Sequence, residues 1–269
     1  VRKHAGPEIT TLEHYRNRYA QYKSDEHLQK VHALFPWIVT WDDHEFDNNY
    51  ADQVSEEPDV AVADFLARRA NAYQAYYENM PLRRRCVPTG PDLRLYRSIP
   101  YGRLAQFSVL DTRQYRTDQP NGDRLKPQTG DALSPHNTLM GDRQEHWLTA
   151  ELLKSPATWN VLAQQVVMAN VKYVREGNEG YNMHAWSGCD VARRRLLEFL
   201  ANRRVSNPVV LTGDVHTNYV NDLALDDSAG PPVATEFVTT SITSGGDGPQ
   251  KMPYTDALLA ANPFIKFHN

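Results

Sequence analysis

The chain has 269 residues, 41% of them hydrophobic, which is enough for a substantial core. Its formal net charge of −4 and the absence of a Lys/Arg-rich run exclude a polyanion-binding signature, so no nucleic-acid partner is implied. No apolar stretch approaches a membrane-spanning length, which leaves at most peripheral membrane contact. The densest basic patch, Arg83-Arg84-Arg85, reads best as a solvated turn after Pro81.

The elements follow in order. Leu12, Tyr15, Tyr19 and Tyr22 recur at helical spacing, and a second helix is expected over 25–34. A short strand over 37–41 runs into Asp42-Asp43-His44-Glu45, and 58–77 is helical. Residues 93–99 and 104–110 read as paired strands around the turn Pro100-Tyr101-Gly102. Residues 121–137 form an irregular loop and 141–153 a helix. Residues 159–163 form a buried strand ending at Gln164-Gln165, with a long polar loop to Met183. An amphipathic helix over 190–204 precedes a strand over 209–211, and a β-rich run over 237–242 ends in Ser244-Gly245-Gly246. Cys86 and Cys189 are either paired or isolated thiols, and two thiols alone make no zinc cage.

Four apolar runs thus end on polar clusters: 42–45, 111–113, 164–165 and 213–216. Loops are polar in general, but that does not explain why the residues are Asp, His, Gln and Arg. In α/β folds ligands bind at the carboxyl ends of neighbouring strands. Two of the clusters, Asp42-Asp43-His44-Glu45 and Gly213-Asp214-Val215-His216, offer hard oxygen donors with imidazoles, the chemistry of a shared metal site.

The chain resembles the PhoD-like alkaline phosphatases, a group that includes an actinobacterial phospholipase D. The matching stretches are Gly6-Pro7-Glu8-Ile9 with Leu12 and Tyr15-Arg16, residues 41–49, Leu110-Asp111-Thr112-Arg113-Gln114-Tyr115-Arg116, 161–166, Trp186 with Gly188, and 211–216. The resemblance implies an α/β fold, a calcineurin-like metallophosphoesterase α/β/β/α sandwich, here truncated at both ends. Val1–Asn269 would form its catalytic domain. It implies hydrolysis of phosphate esters, Fe3+ and Ca2+ as cofactors, with Zn2+, Mg2+ or Mn2+ as alternatives, and export from the cell.

Carried over residue by residue, the superfamily's Gly-Asn-His-Asp/Glu motif falls on 42–45, giving Asp43 a metal role and His44 the general-acid role. Its Gly-His-x-His motif falls on 213–216, making Asp214 and His216 metal ligands, and its lone middle His falls on Gln165. These replacements enrich one site in oxygen and so favour Ca2+ or Mg2+. Arg113 is the candidate phosphate clamp, because guanidinium matches phosphate bidentately; a structural turn with Asp111 is its plainer reading. His184, in a loop before Trp186, is a weaker substrate-contact candidate. The family's further Asp, Tyr and Cys ligands fall before Val1, so an N-terminal segment of the same enzyme is expected to complete the site beside 37–41. Two other functions stay open: a phospholipase D acting on phospholipids, and a non-catalytic module in which a metal only holds the fold. A histidine placed like His44 would serve no purpose in the latter.

Overall fold

The computed structural model describes residues 3–175, 178–227, 230–241, 248–249 and 251–269. The chain divides into two compact units, Val1–Leu95 and Tyr96–Asn269.

The first unit is helical. Helix α1 (Leu12–Lys23) starts at Thr11, whose side chain accepts from His14 N, and α2 (Glu26–Leu34) starts at Asp25, which accepts from His27 N and Leu28 N. Both caps satisfy amides that a helix start leaves without an internal partner. Helix α3 (Val62–Asn79) buries Phe65, Ala72, Tyr73 and Tyr76 on one face. The expected strand over 37–41 is a correction: these residues form no regular element and belong to no sheet. Their alternating burial has another cause. Val39 and Trp41 turn inward, and Trp41 stacks on Tyr73 of α3 with ring centroids 4.1 Å apart. Helices, not neighbouring strands, cover the apolar side. Leu93 and Leu95 also belong to this aromatic-rich core, and the strand expected over 93–99 begins only at Arg97.

The second unit is built on a seven-stranded sheet in the order β1-β2-β4-β7-β9-β8-β10. The strands are β1 (Arg97–Tyr101), β2 (Ala105–Val109), β4 (Trp159–Ala163), β7 (Pro208–Thr212), β8 (Tyr219–Ala224), β9 (Pro232–Val238) and β10 (Ile265–His268). A smaller sheet, β3-β6-β5, comprises β3 (Leu125–Lys126), β5 (Lys172–Arg175) and β6 (Asn178–Asn182). Helices α4 (Gly141–Lys154), α5 (Asp190–Asn202) and α6 (Thr255–Ala261) complete the unit. The β1–β2 hairpin turns at Gly102, whose φ of 57° suits a residue without a Cβ. Strands β2, β4, β7 and β9 are mutually parallel, so their carboxyl ends share one edge of the sheet. The core beneath them includes Leu162, Val210, Leu148 and Leu197.

Within the segment expected as a polar loop to Met183, β5 and β6 pair as a hairpin. The β-rich run is displaced toward the N-terminus as β9, and Ser244-Gly245-Gly246 lies outside the described residues. Both cysteines are buried free thiols. Among the described residues no helix is long and apolar enough to cross a membrane.

Candidate active site

In the first unit the chain leaves residues 36–41 through a tight turn. Phe46 N and Asp47 N both donate to Asp43 O, at 2.8 and 2.9 Å, so the motif forms a single helical turn. Asp43 is 3% exposed, and its Oδ2 accepts from Asn49 N at 2.9 Å. Asn49 takes a left-handed conformation, with φ of 51°, to present that amide. Glu45 folds back so that Oε2 accepts from Asp42 N at 2.7 Å, and burial pushes its carboxyl above the usual range. His44 alone points outward. Its side chain is 76% exposed, with Nε2 3.9 Å from Asp43 Oδ2, within ion-pair reach but beyond a hydrogen bond.

A second layer holds this turn. Asp47 accepts from Arg68 Nη1 at 3.1 Å and from Ser55 Oγ at 2.8 Å. Arg68 also donates to Ile9 O, Tyr15 Oη and Glu8 Oε1. The stretch around Glu8-Ile9 and Tyr15 is therefore part of the turn's support, by way of one arginine.

In the second unit the strand exits extend the sheet ladder. Leu110 N donates to Ala163 O, Gln164 N to Leu211 O, and Gly213 N to Gln165 O, all at 2.9–3.1 Å. Beyond β2, Asp111 Oδ1 accepts from Arg113 N and Gln114 N, and Oδ2 from Gln114 Nε2. Asp111 thus shapes the turn. The Arg113 guanidinium is fully buried and donates from Nη2 to His184 Nε2 at 2.5 Å. Arginine has no acceptor, so His184 accepts at Nε2 and carries its proton on Nδ1. Arg116 Nη1 donates to His184 O at 2.9 Å, placing two arginines on one histidine. His184 is 5% exposed.

Beyond β4, Gln165 is buried, and its amide is engaged within the protein. Oε1 accepts from Thr112 N at 3.1 Å and Thr112 Oγ1 at 2.8 Å, while Nε2 donates to Leu110 O at 2.9 Å. Beyond β7, Asp214 and His216 have φ of 72° and 53°. Asp and His enter the left-handed region more readily than most residues, and the loop at Asn121, Asp123 and Arg124 does the same. The turn is fastened from the chain's end: Asn218 N donates to Asn269 O at 2.7 Å and Thr217 Oγ1 donates to the same oxygen at 2.8 Å. Asp214 is half-buried and His216 is exposed.

Trp186 and Gly188 have structural reasons for their identity. Trp186 Nε1 donates to Gln164 Oε1 at 3.1 Å. A Cβ on Gly188 would stand 2.1 Å from Met183 O, so any side chain there collides with backbone. Sequence reasoning passed over Glu236, a fully buried carboxylate below the exits of β4 and β7; one acid inside an apolar strand was the available signal.

Known proteins give this geometry a context. A model of the family described as PhoD-like phosphatase matches residues 1–269. Alkaline phosphatase D of Bacillus subtilis (strain 168) is 49% identical over 271 residues, covering 100% of this chain and 46% of that protein. A solved structure described as "Structure of PhoD" superposes with a TM-score of 0.95 at 49% identity, covering 100% of this chain and 52% of the other. The chain therefore spans about half the length of the relatives it matches. The mixed α/β architecture expected from the sequence is borne out as a metallophosphoesterase-like fold. With the match running from end to end, the chain belongs to the PhoD-like phosphatase family.

Proposed function

We propose that the protein of which this chain is part hydrolyses phosphate esters with the help of bound metal ions. The observation that carries this reading is the common edge formed by parallel β2, β4, β7 and β9, whose exits bear Asp111–Arg113, Gln164–Gln165 and Gly213–His216. Family membership supplies the reaction class.

The donor chemistry fits metals. Asp43 and Asp214 offer carboxylate oxygens and His216 an imidazole. We assign metal-holding roles to Asp43 in the first unit and to Gln165, Asp214 and His216 in the second. Coordination through Gln165 would exchange its Thr112 bonds for a cation. The oxygen-rich set suits Ca2+, and the imidazole suits a transition metal such as Fe3+. Such ions, when bound, supply Lewis-acid polarisation of the phosphoryl group and lower the pKa of water. The chain's own contribution to bond cleavage is His44. From its exposed position it donates a proton to the leaving oxygen, with the Asp43 carboxylate at hand to orient the ring.

Of the apolar residues near the end of the chain, Phe264 and Ile265 are buried in the core and only Phe267 is exposed, which is too little apolar surface to favour a phospholipid. Export from the cell is proposed from the family resemblance alone, and fractionation of the producing cells tests it. The metal reading is tested by exhaustive chelation of the intact protein. Hydrolysis of a phosphate monoester should fall to background and return with added Ca2+ and iron. Full activity after chelation, verified by metal analysis, would overturn it.

A further inference from the structure

Beneath the strand exits the buried polar groups form one directed chain of hydrogen bonds. Glu236 stands in β9 opposite Val210 of β7 and Asn221 of β8, with no exposed surface. Its Oε1 accepts from Met168 N and Thr212 Oγ1, both at 2.7 Å. Its Oε2 accepts from Ala169 N and Asn221 Nδ2, both at 3.0 Å. Thr212 Oγ1 in turn accepts from Gln164 Nε2 at 2.6 Å, and Gln164 Oε1 accepts from Trp186 Nε1 at 3.1 Å. A threonine hydroxyl carries one hydrogen. Thr212 gives it to Glu236 while taking one from Gln164, so the direction of every bond is set.

A buried carboxylate is costly unless its oxygens are satisfied, and here four donors meet two oxygens. An apolar residue would fill the place in the core at lower cost. The carboxylate adds a junction: it joins the segment after β4, the last residue of β7, and β8. Gln164 immediately precedes Gln165, and Thr212 stands two residues before Asp214. We propose that Glu236 is a positioning residue: acting through Thr212 and Gln164, it sets the two strand exits that carry Gln165 and Asp214. This rests on the metal reading above. Groups that orient metal-holding residues from behind typically change cation affinity about 10–100-fold when removed.

The test uses Thr212, which links the two exits without touching the proposed site. In the intact, metal-stripped protein, Ca2+ binding is measured by calorimetry for Thr212→Val, Thr212→Ser and Asp214→Asn, alongside melting temperature. Thr212→Val removes the hydroxyl at nearly constant volume and should weaken Ca2+ binding about 10–100-fold. Thr212→Ser keeps the hydroxyl and should bind as the parent does. Unchanged Ca2+ affinity in Thr212→Val, whatever its melting temperature, makes the network purely structural and overturns the proposal. If Thr212→Val does not fold, Trp186→Phe breaks the far link of the same chain and is read the same way. Asp214→Asn separates the two levels: if it binds Ca2+ as the parent does, the metal reading itself has failed, and the positioning role falls with it.

Discussion

His44 is a catalytic candidate by its place in the superfamily motif and Arg113 by the match of guanidinium to phosphate, and the structure treats the two differently. His44 is exposed on a rigid turn. His44→Ala should slow turnover of esters with poor leaving groups by about 10²–10⁴-fold, and hurt esters with acidic leaving groups much less. Steady-state rates on a leaving-group series check this; equal losses across the series would remove the acid role. Arg113 has no exposed surface and gives its guanidinium to His184. A lysine in its place cannot reproduce the planar fork. Arg113→Lys should therefore lower stability by about 1–3 kcal/mol, read from denaturant melts. A large fall in kcat/KM at unchanged stability would instead return Arg113 to the phosphate-clamp role. The residue types at the strand ends were legible because Asp, His and Gln there exceed what polar loops need. Their partners were not. Nothing in the local sequence joins Gln165 to Thr112, 53 positions away, or Arg113 to His184, 71 positions away.

The short 3-10 helix Trp186–Cys189 shows an element whose sequence is set by steric contact. Because a Cβ at position 188 would meet Met183 O at 2.1 Å and Met183 C at 2.8 Å, only backbone movement can admit one. Gly188→Ala should cost about 3 kcal/mol, and since Trp186 is the donor to Gln164, the loss should extend to the β4 exit. Chemical denaturation and amide-exchange protection at Gln164 and Gln165 measure both; a variant as stable as the parent would contradict the close approach. Elements with strong periodicity were legible, among them α1, α4, α5, β4 and β7. Strand β8 was not, because Asn221 and Asp222 interrupt its apolar run: Asn221 is turned to Glu236 and Asp222 faces Lys266. The apolar run at 37–41 differs from its expected strand for the opposite reason. Period-two burial reports which side is covered, not what covers it, and here the cover is α3.

At the scale of the molecule, each unit keeps a phenol that resists ionisation, half-buried against the core in the first and within the core in the second. Burial pushes Tyr19 in the first unit and Tyr219 in the second well above the ordinary tyrosine value. Glu45 carries like charge toward Tyr19, and Tyr173 shares a hydrogen bond with Tyr219, reinforcing the shift in each place. Both groups are neutral when folded, whereas in the unfolded chain they ionise near pH 10. Above that pH the unfolded state binds fewer protons than the folded state, so stability falls as pH rises. Each phenol contributes a slope of up to about 1.4 kcal/mol per pH unit until its folded value is reached. Tyr219→Phe removes one of the two. It should lower the melting temperature near neutral pH, where the hydroxyl's bond to Tyr173 is lost, yet show a shallower decline above pH 10. Melting curves of parent and variant between pH 8 and pH 11 separate these effects, because the first is an offset and the second a slope. Parallel curves above pH 10 would mean that Tyr219 ionises in the folded protein as readily as in the unfolded chain, and that its surroundings admit the charge that its burial is here argued to exclude.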